Sequence, residues 1–185
     1  SHESLMAKIR SKEAVVGVMG LGYVGLPLVA TFHAAGFTAL GFDTSEGKVR
    51  ALDSGESYLD HLRDSEGLFQ RLASSPSFAA TSDMSRLSEC DAILICVPTP
   101  LGEHFDPDLS YVRSCGQHIA SSLRPGQLIV LESTTYPGTT REVLLPMFQG
   151  AGKVLGEDFF LAFSPEREDP GNANHEMYDI PKLVG

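Results

Sequence analysis

The sequence predicts an α/β fold in which helices cover both faces of a parallel, doubly wound sheet. Two observations predict this class. Short apolar runs alternate with longer helix-like stretches, and the runs are continuous instead of alternating with polar residues. Continuous runs are typical of strands buried on both faces, as in parallel sheets. The length of 185 residues and the hydrophobic content of 42% fit one domain with a sizeable core.

The predicted elements follow one another along the chain in the order that this class requires. A leader helix is predicted at residues 5–12 within a leader of residues 1–13, and the domain is predicted to cover residues 14–185. Strands are predicted at residues 14–19, 38–42, 78–81, 91–97, 127–131 and 158–163. Helices are predicted at residues 23–35, 45–52, the second half of 55–75, 107–123 and 139–148. Gly36 is expected to follow a helix C-terminus, and Asp106 or Asp108 is expected to cap the helix from residue 107.

Composition excludes several classes of function. The formal net charge is −10 and no basic block occurs, which disfavours binding to nucleic acid or to an anionic membrane surface. No apolar run reaches about 18 residues and no basic-then-apolar leader is present, so neither a membrane span nor a secretory signal is expected. The three cysteines are scattered without a CxxC spacing. We therefore expect no bound metal and a cytoplasmic, reducing location.

A glycine-rich loop follows the first predicted strand. Ligands of doubly wound sheets bind beyond the carboxyl ends of the strands. The loop has the GxGxxG pattern and consists of Gly20, Leu21, Gly22, Tyr23, Val24 and Gly25. Gly20 allows the tight turn, Gly22 leaves room for a pyrophosphate, and Gly25 lets the following helix pack closely on the strand. The alternative is a glycine turn of an ordinary α/β protein, but the strand-loop-helix context favours a Rossmann-type dinucleotide site.

An acidic residue ends the second strand, where such a site places one. Asp43 lies 23 positions after Gly20 and is expected to accept hydrogen bonds from the adenosine ribose. Its carboxylate would repel a 2′-phosphate, so NAD is predicted over NADP. Lys48 could reach the same ribose or a phosphate, although it could also belong to a solvated helix face.

Three further strand ends carry polar residues. Pro98 and Thr99 follow one strand, and Ser133 and Thr134 follow the next. Their hydroxyls suit contacts to ribose or water near a nicotinamide, while helix capping and strand termination are the structural alternatives. The loop at residues 164–171 places charged residues directly after an apolar strand, namely Glu166, Arg167 and Glu168. This loop could grip a polar substrate and supply a base, or it could be solvated.

Four segments together resemble the UDP-glucose/GDP-mannose dehydrogenase family. They are Gly-Leu-Gly-Tyr-Val-Gly-Leu-Pro (20–27), Val-Pro-Thr-Pro (97–100), Glu-Ser-Thr-Thr-Tyr-Pro-Gly-Thr-Thr (132–140) and Phe-Ser-Pro-Glu-Arg-Glu-Asp-Pro-Gly-Asn (163–172). They occur in order over nearly the whole chain, and the last two are more specific than GxGxxG. The last of them and the closing Ile-Pro-Lys-Leu-Val-Gly (180–185) most resemble the branch of bacterial UDP-N-acetylglucosamine 6-dehydrogenases.

The resemblance implies a two-step oxidation of a sugar C6 alcohol to a carboxylate, with two NAD reduced. It implies that Glu166 is the general base for water, that Thr134 holds water or cofactor, and that Arg167 and Glu168 join Glu166 in binding a UDP-sugar. The residues at 20–25, Asp43, Lys48, Thr99 and Thr134 would contact NAD. The family's nucleophilic cysteine and its lysine partner come after the last motif. The chain is therefore interpreted as the amino-terminal part of a homo-oligomeric enzyme, truncated before a central helix and a second domain, and inactive alone.

The cysteines of this chain are expected to be structural. Cys90 is placed before a strand, Cys96 inside it and Cys115 in a helix, none at a strand end near Thr134 or Glu166. Other readings stay open at this stage. The substrate could be UDP-glucose, UDP-N-acetylmannosamine or GDP-mannose. The chain could be a non-catalytic NAD-binding module or another oxidoreductase, such as a hydroxyacyl or phosphogluconate dehydrogenase.

Overall fold

The computed structural model describes residues 1–59, 65–102, 106–165 and 184–185. Within them the chain forms a six-stranded sheet in which all neighbouring strands are parallel, in the order β3-β2-β1-β4-β5-β6. The strands are β1 (Val15–Met19), β2 (Thr38–Phe42), β3 (Phe78–Thr81), β4 (Ala92–Ile95), β5 (Gln127–Leu131) and β6 (Phe159–Phe163). All six predicted strands are confirmed, and the predicted sheet is parallel throughout.

Helices connect the strands and form a layer on each face of the sheet. They are α1 (His2–Ser11), α2 (Gly25–Ala34), α3 (Glu46–Ser54), α4 (Ser65–Ala73), α5 (Ser110–Ser122) and α6 (Leu145–Gly150). Helices α2, α3 and α4 bury apolar residues against one face, among them Val29, Leu52 and Phe69. Helices α5 and α6 cover the other face, with Ile119 and Phe148 in that core.

The order of strands creates a crevice at one edge of the sheet. The chain winds outward from β1 through β2 to β3, then returns to the other side of β1 for β4. The loops after β1 and β4 therefore leave the carboxyl edge in opposite directions. An open α/β sheet binds its ligands at such a switch point. The fold thus places the functional site at the carboxyl ends of β1, β2, β4 and β5.

Several predicted boundaries are wrong, among them that of the leader helix, which begins at His2 and not at residue 5 and ends at Ser11. Helix α5 begins at Ser110 with Leu109 as its N-cap, so neither Asp106 nor Asp108 is the capping residue. Asp108 still accepts a hydrogen bond from the Ser110 N–H, which explains the misleading signal. The predicted helix at 139–148 divides into a π-helical turn (Thr140–Leu144) and α6. A 3-10 turn (Met84–Glu89) before β4 was not predicted.

A buried carboxylate ties the leader helix to the amino edge of the sheet. Asp91, just before β4, is 4% exposed. Its Oδ1 accepts hydrogen bonds from Lys8 Nζ and Arg124 Nη2, both at 2.8 Å, and its Oδ2 accepts one from the Val15 N–H. Burial by itself raises the pKa of Asp91, but the hydrogen bonds from Lys8, Arg124 and the Val15 N–H, together with the charge of Lys8, outweigh burial and lower the pKa. Asp91 therefore joins α1, β1, β4 and the α5–β5 turn.

The first prediction concerns Asp91→Asn. The variant should lose about 1.5–3 kcal/mol of unfolding free energy at pH 7, the scale of hydrogen bonds to a charged group. Because the folded-state pKa is lowered, the stabilisation is present at neutral pH and is lost as the pH falls through that pKa. Chemical denaturation should show the two proteins converging below pH of about 3.9, the unfolded-state value. Asp53→Asn, on the exposed side of α3, is the control. A pH-independent difference would contradict this account.

Candidate functional site

A cleft of about 610 Å³ lies at the carboxyl edge of the sheet. Loops from four strands and one face of α5 line it. The lining residues include Gly20, Leu21, Gly22, Tyr23 and Val24 after β1; Asp43, Thr44 and Lys48 after β2; Cys96, Val97, Pro98 and Thr99 after β4; Glu132, Ser133 and Thr134 after β5; and Tyr111, Ser114, Cys115 and His118 on α5. The structure therefore brings together most of the predicted cofactor residues.

The three glycines of the loop meet three different steric demands. Gly20 has φ +93° and a Cβ there would lie 2.9 Å from the Cys96 carbonyl oxygen. A Cβ on Gly25 would lie 1.7 Å from the Gly20 carbonyl oxygen, so the first turn of α2 rests directly on the loop. A Cβ on Gly22 would have no atom within 4 Å. Gly20 and Gly25 therefore serve the fold, whereas the space in front of Gly22 is open to a ligand.

Unpaired peptide groups face this open space. The N–H groups of Gly22, Tyr23, Val24 and Gly25 form no hydrogen bond to any described residue. The first N–H groups of a helix lack intrahelical partners and carry the positive end of the helix dipole. No acidic side chain of α2 competes for them in its first turn. The arrangement fits a phosphate group, which supplies acceptors and negative charge.

Asp43 both supports the loop and retains capacity for a ligand. Its side chain is 10% exposed. Its Oδ2 accepts hydrogen bonds from the Leu21 N–H at 2.9 Å and from Lys48 Nζ at 3.4 Å, and its Oδ1 accepts one from the Ser45 N–H. A carboxylate oxygen has two lone pairs, so Oδ1 can also accept from a ribose hydroxyl. The positive charge of Lys48 balances part of the negative charge of Asp43. The spacing of five residues between them permits this ion pair but does not require it.

The hydroxyls after β4 and β5 connect the two loops to each other. Thr99 donates its hydroxyl proton to the Thr134 carbonyl, and Ser133 donates its own to the Val97 carbonyl at 2.7 Å. Both hydroxyls therefore hold the loops at a fixed distance and keep only acceptor capacity for a ligand. The Thr134 hydroxyl bonds none of the described residues, and Thr134 is exposed. Of the Thr99, Ser133 and Thr134 hydroxyls, the Thr134 hydroxyl is the one whose proton is donated to none of the described residues.

The sequence did not predict that α5 lines one side of the cleft. Tyr111, Ser114, Cys115 and His118 are spaced by three, one and three residues, which places them on one helical face. Met84 from the 3-10 turn lies beside them at the cleft. The helical spacing was visible in the sequence. It did not indicate a site, because nothing local shows which face of α5 reaches the carboxyl edge.

All three cysteines are buried, but the prediction for Cys96 is wrong. Cys96 was expected inside a strand away from the strand ends. The structure contradicts this, because β4 ends at Ile95 and Cys96 lines the cleft together with Thr134. Burial raises the pKa of Cys90 and of Cys115 to about 12 each, so both thiols are protonated at neutral pH. Neither of these two has the lowered pKa of an activated nucleophile.

Three predicted residues lie outside the described part of the chain, namely Glu166, Arg167 and Glu168. The described chain reaches Pro165, and the buried Ser164 donates its N–H to the Leu131 carbonyl at the carboxyl end of β5. Among the described residues no group of His, Cys, Asp and Glu could hold a metal ion. In the same part of the chain no helix has the length and hydropathy needed to cross a bilayer.

The sheet order, the glycine loop before α2 and the acidic residue after β2 define a Rossmann-type dinucleotide-binding domain. The particular family follows from comparison with known proteins. Residues 14–185 match the sequence model of the UDP-glucose/GDP-mannose dehydrogenase family, NAD binding domain. The chain belongs to this family, and its cofactor is NAD.

Individual relatives agree with this assignment. The chain is 36% identical over 174 residues to UDP-N-acetyl-D-glucosamine 6-dehydrogenase of Pseudomonas aeruginosa, covering 94% of this chain and 40% of that protein. It is similar to the structure of NDP-N-acetyl-D-galactosaminuronic acid dehydrogenase of Methanosarcina mazei Go1, with TM-score 0.84 and 33% identity over 98% of this chain and 41% of that one. For GDP-mannose dehydrogenase of Pseudomonas aeruginosa the TM-score is 0.82, with 29% identity over 92% and 40% of the two chains. The chain spans about two fifths of the length of these relatives.

The second prediction separates the ligand-facing glycine from the packing glycine. Gly22→Val should weaken NAD binding at least about 100-fold, because its side chain fills the open space, and should change the unfolding free energy by less than about 1 kcal/mol. Gly25→Ala should cost about 3 kcal/mol or more, because its methyl group overlaps the Gly20 carbonyl. Calorimetric titration and chemical denaturation measure the two effects.

The matched control is Gly150→Val, since a Cβ on Gly150 also meets open space but lies on α6. It should bind NAD with unchanged affinity. If Gly22→Val bound NAD as tightly as this control, the pyrophosphate would not lie at Gly22.

Proposed function

We propose that the chain is the NAD-binding part of a nucleotide-sugar 6-dehydrogenase that oxidises the C6 alcohol of a UDP-N-acetyl-hexosamine to a carboxylate. The observation that carries the proposal is the convergence of the glycine loop, Asp43 and the β4 and β5 loops on one cleft, in a chain of this family. The resemblance of residues 163–172 to the UDP-N-acetylglucosamine branch, and the identity of 36% to one such enzyme, support an N-acetylated sugar.

The described residues of the cleft would bind and orient the cofactor. The N–H groups of residues 22–25 would bind the pyrophosphate, and Asp43 would accept from the adenosine ribose. The linked β4 and β5 loops, with the Thr134 hydroxyl exposed, would bind the nicotinamide half and hold water. When bound, NAD accepts the hydride. Thr99 and Ser133 would act mainly by holding Thr134 and Pro98 in place.

The oxidation balances as two hydride transfers and one hydrolysis. The alcohol loses a hydride and a proton to give an aldehyde. A cysteine thiolate outside this chain adds to the aldehyde, a second hydride leaves, and water cleaves the resulting thioester to release the thiol and the carboxylate. The sum consumes one alcohol, two NAD and one water, and yields one carboxylate, two NADH and three protons. Glu166 would remove a proton from the water, and Arg167 and Glu168 would contact the nucleotide sugar.

The identity of the sugar is the most specific part of the proposed function. Relatives carry names for several different nucleotide sugars, so UDP-glucose, UDP-N-acetylmannosamine and GDP-mannose are the alternatives. A homo-oligomeric state and a cytoplasmic location also stay predictions. A non-catalytic NAD-binding module is the alternative from another class, and the experiment below distinguishes it.

The third prediction tests the reaction in the longer protein that carries this chain. With UDP-N-acetylglucosamine it should release two NADH per sugar oxidised, faster than with UDP-glucose, UDP-N-acetylmannosamine or GDP-mannose. Glu166→Gln should slow steady turnover by about 10²–10⁴-fold, because the water loses its base. Mass spectrometry of the intact variant should then show a covalent sugar adduct. The present chain alone should bind NAD without turnover.

Glu157→Gln, in the exposed turn before β6, is the control and should retain wild-type turnover. Normal kcat with a raised KM for Glu166→Gln would make that residue a substrate contact and not the base. NAD binding without oxidation of any nucleotide sugar would favour the non-catalytic module. Steady turnover by this chain alone would overturn the proposal that the catalytic cysteine lies outside it.

A further inference from the structure

Tyr58 reaches the glycine loop from a segment that the sequence did not connect with the site. It follows α3, and its hydroxyl donates a hydrogen bond to the Leu21 carbonyl oxygen at 2.6 Å. Its ring packs edge-on against Phe69 of α4, with ring centroids 4.9 Å apart. Phe69 is fully buried. The ring is therefore held by the core while the hydroxyl points at the loop backbone.

Leu21 is fixed in three ways. Its side chain is completely buried, and its two methyl carbons lie 2.9 and 3.0 Å from where a Cβ on Gly41 would lie. Its N–H donates to Asp43 Oδ2 at 2.9 Å, and its carbonyl accepts from Tyr58. The two peptide planes that flank Leu21 are therefore both held by side chains from outside the loop.

The hydrogen bond from Tyr58 to the Leu21 carbonyl determines the direction of the Gly22 N–H. A peptide unit is planar and trans, so the Gly22 N–H lies opposite the Leu21 carbonyl in the same rigid plane. With the carbonyl turned toward Tyr58, the Gly22 N–H faces away from Tyr58, and it bonds no described residue. Glycine at position 22 permits a wide range of backbone conformations, so the hydrogen bond from Tyr58 is what restrains this plane.

Tyr58 can keep this role at any ordinary pH. Burial raises the pKa of its phenol above the usual value, and the negative charge of Asp43 raises it further. The hydroxyl is therefore a permanent donor. Lys48 Nζ lies 5.8 Å from the centre of the Tyr58 ring. Asp43, Lys48 and Tyr58 thus form one group of neighbouring side chains beside the loop.

We propose that Tyr58 is a positioning residue for NAD, which orients the Gly22 N–H toward the cofactor pyrophosphate through the Leu21–Gly22 peptide. This inference rests on the proposed binding of the pyrophosphate at residues 22–25. Tyr58 touches the loop and acts on the ligand only through it. Its loss should therefore weaken ligands that contain the pyrophosphate and spare those that lack it.

The test compares Tyr58→Phe with the unchanged chain by calorimetric titration of NAD and ADP-ribose and by ligand-detected NMR with adenosine. Loss of one hydrogen bond should weaken NAD and ADP-ribose by about 3–10-fold. Adenosine, which has no pyrophosphate, should bind both proteins equally. Thr31→Val is the control, because it removes a hydroxyl that donates to the Pro27 carbonyl in the exposed part of α2. It should leave all three affinities unchanged.

The outcomes separate this inference from the proposed site. If the unchanged chain binds neither NAD nor ADP-ribose, the proposed site itself fails. If it binds both and Tyr58→Phe binds ADP-ribose with equal affinity, the role of Tyr58 is overturned. Equal losses for adenosine and ADP-ribose would also overturn it, since they would mark a general structural role. If Tyr58→Phe does not fold, amide spectra of the unchanged chain decide. The Gly22 N–H must then shift strongly with ADP-ribose and not with adenosine.

Discussion

The close approach of helix α2 to the loop after β1 is the constraint on which the site depends. A Cβ on Gly25 would lie 1.7 Å from the Gly20 carbonyl oxygen, so these two peptide units are in contact and no side chain can separate them. The contact fixes where α2 begins, and therefore where its unpaired N–H groups lie. The positive end of the helix consequently lies at the switch point of the sheet, where the loops diverge.

The amino and carboxyl edges of the sheet differ in how their polar groups are hydrogen-bonded. At the amino edge, Asp91 and Gln127 satisfy backbone groups and cations with side-chain hydrogen bonds, and α1 is tied down by Lys8. At the carboxyl edge, the peptide N–H groups of residues 22–25 have no partner among the described residues. Several unpaired N–H groups side by side at the carboxyl edge suit an acceptor-rich ligand. The stabilising network lies away from that edge, so the cleft can be open without loss of the fold.

The part of the structure that could be predicted rests on local signals. Continuous apolar runs identified all six strands, and the glycine spacing identified the loop, because turn geometry and helix packing act over a few residues. The contacts that could not be predicted join distant segments. Tyr58 bonds Leu21 across 37 positions, and Thr99 bonds Thr134 across 35. The face of α5 at the cleft and the position of Cys96 beyond its strand depend on tertiary packing, which no short motif encodes.

A crystal structure of this chain with bound NAD would show directly whether the cofactor lies against the glycine loop. We expect pyrophosphate oxygens within about 3.2 Å of the backbone nitrogen atoms of residues 22–25, the usual limit for N–H···O bonds. We also expect an adenosine ribose hydroxyl within hydrogen-bond distance of Asp43 Oδ1 and the nicotinamide half beside Thr134. A cofactor bound away from the glycine loop, or with its ribose distant from Asp43, would show that the proposed site is wrong.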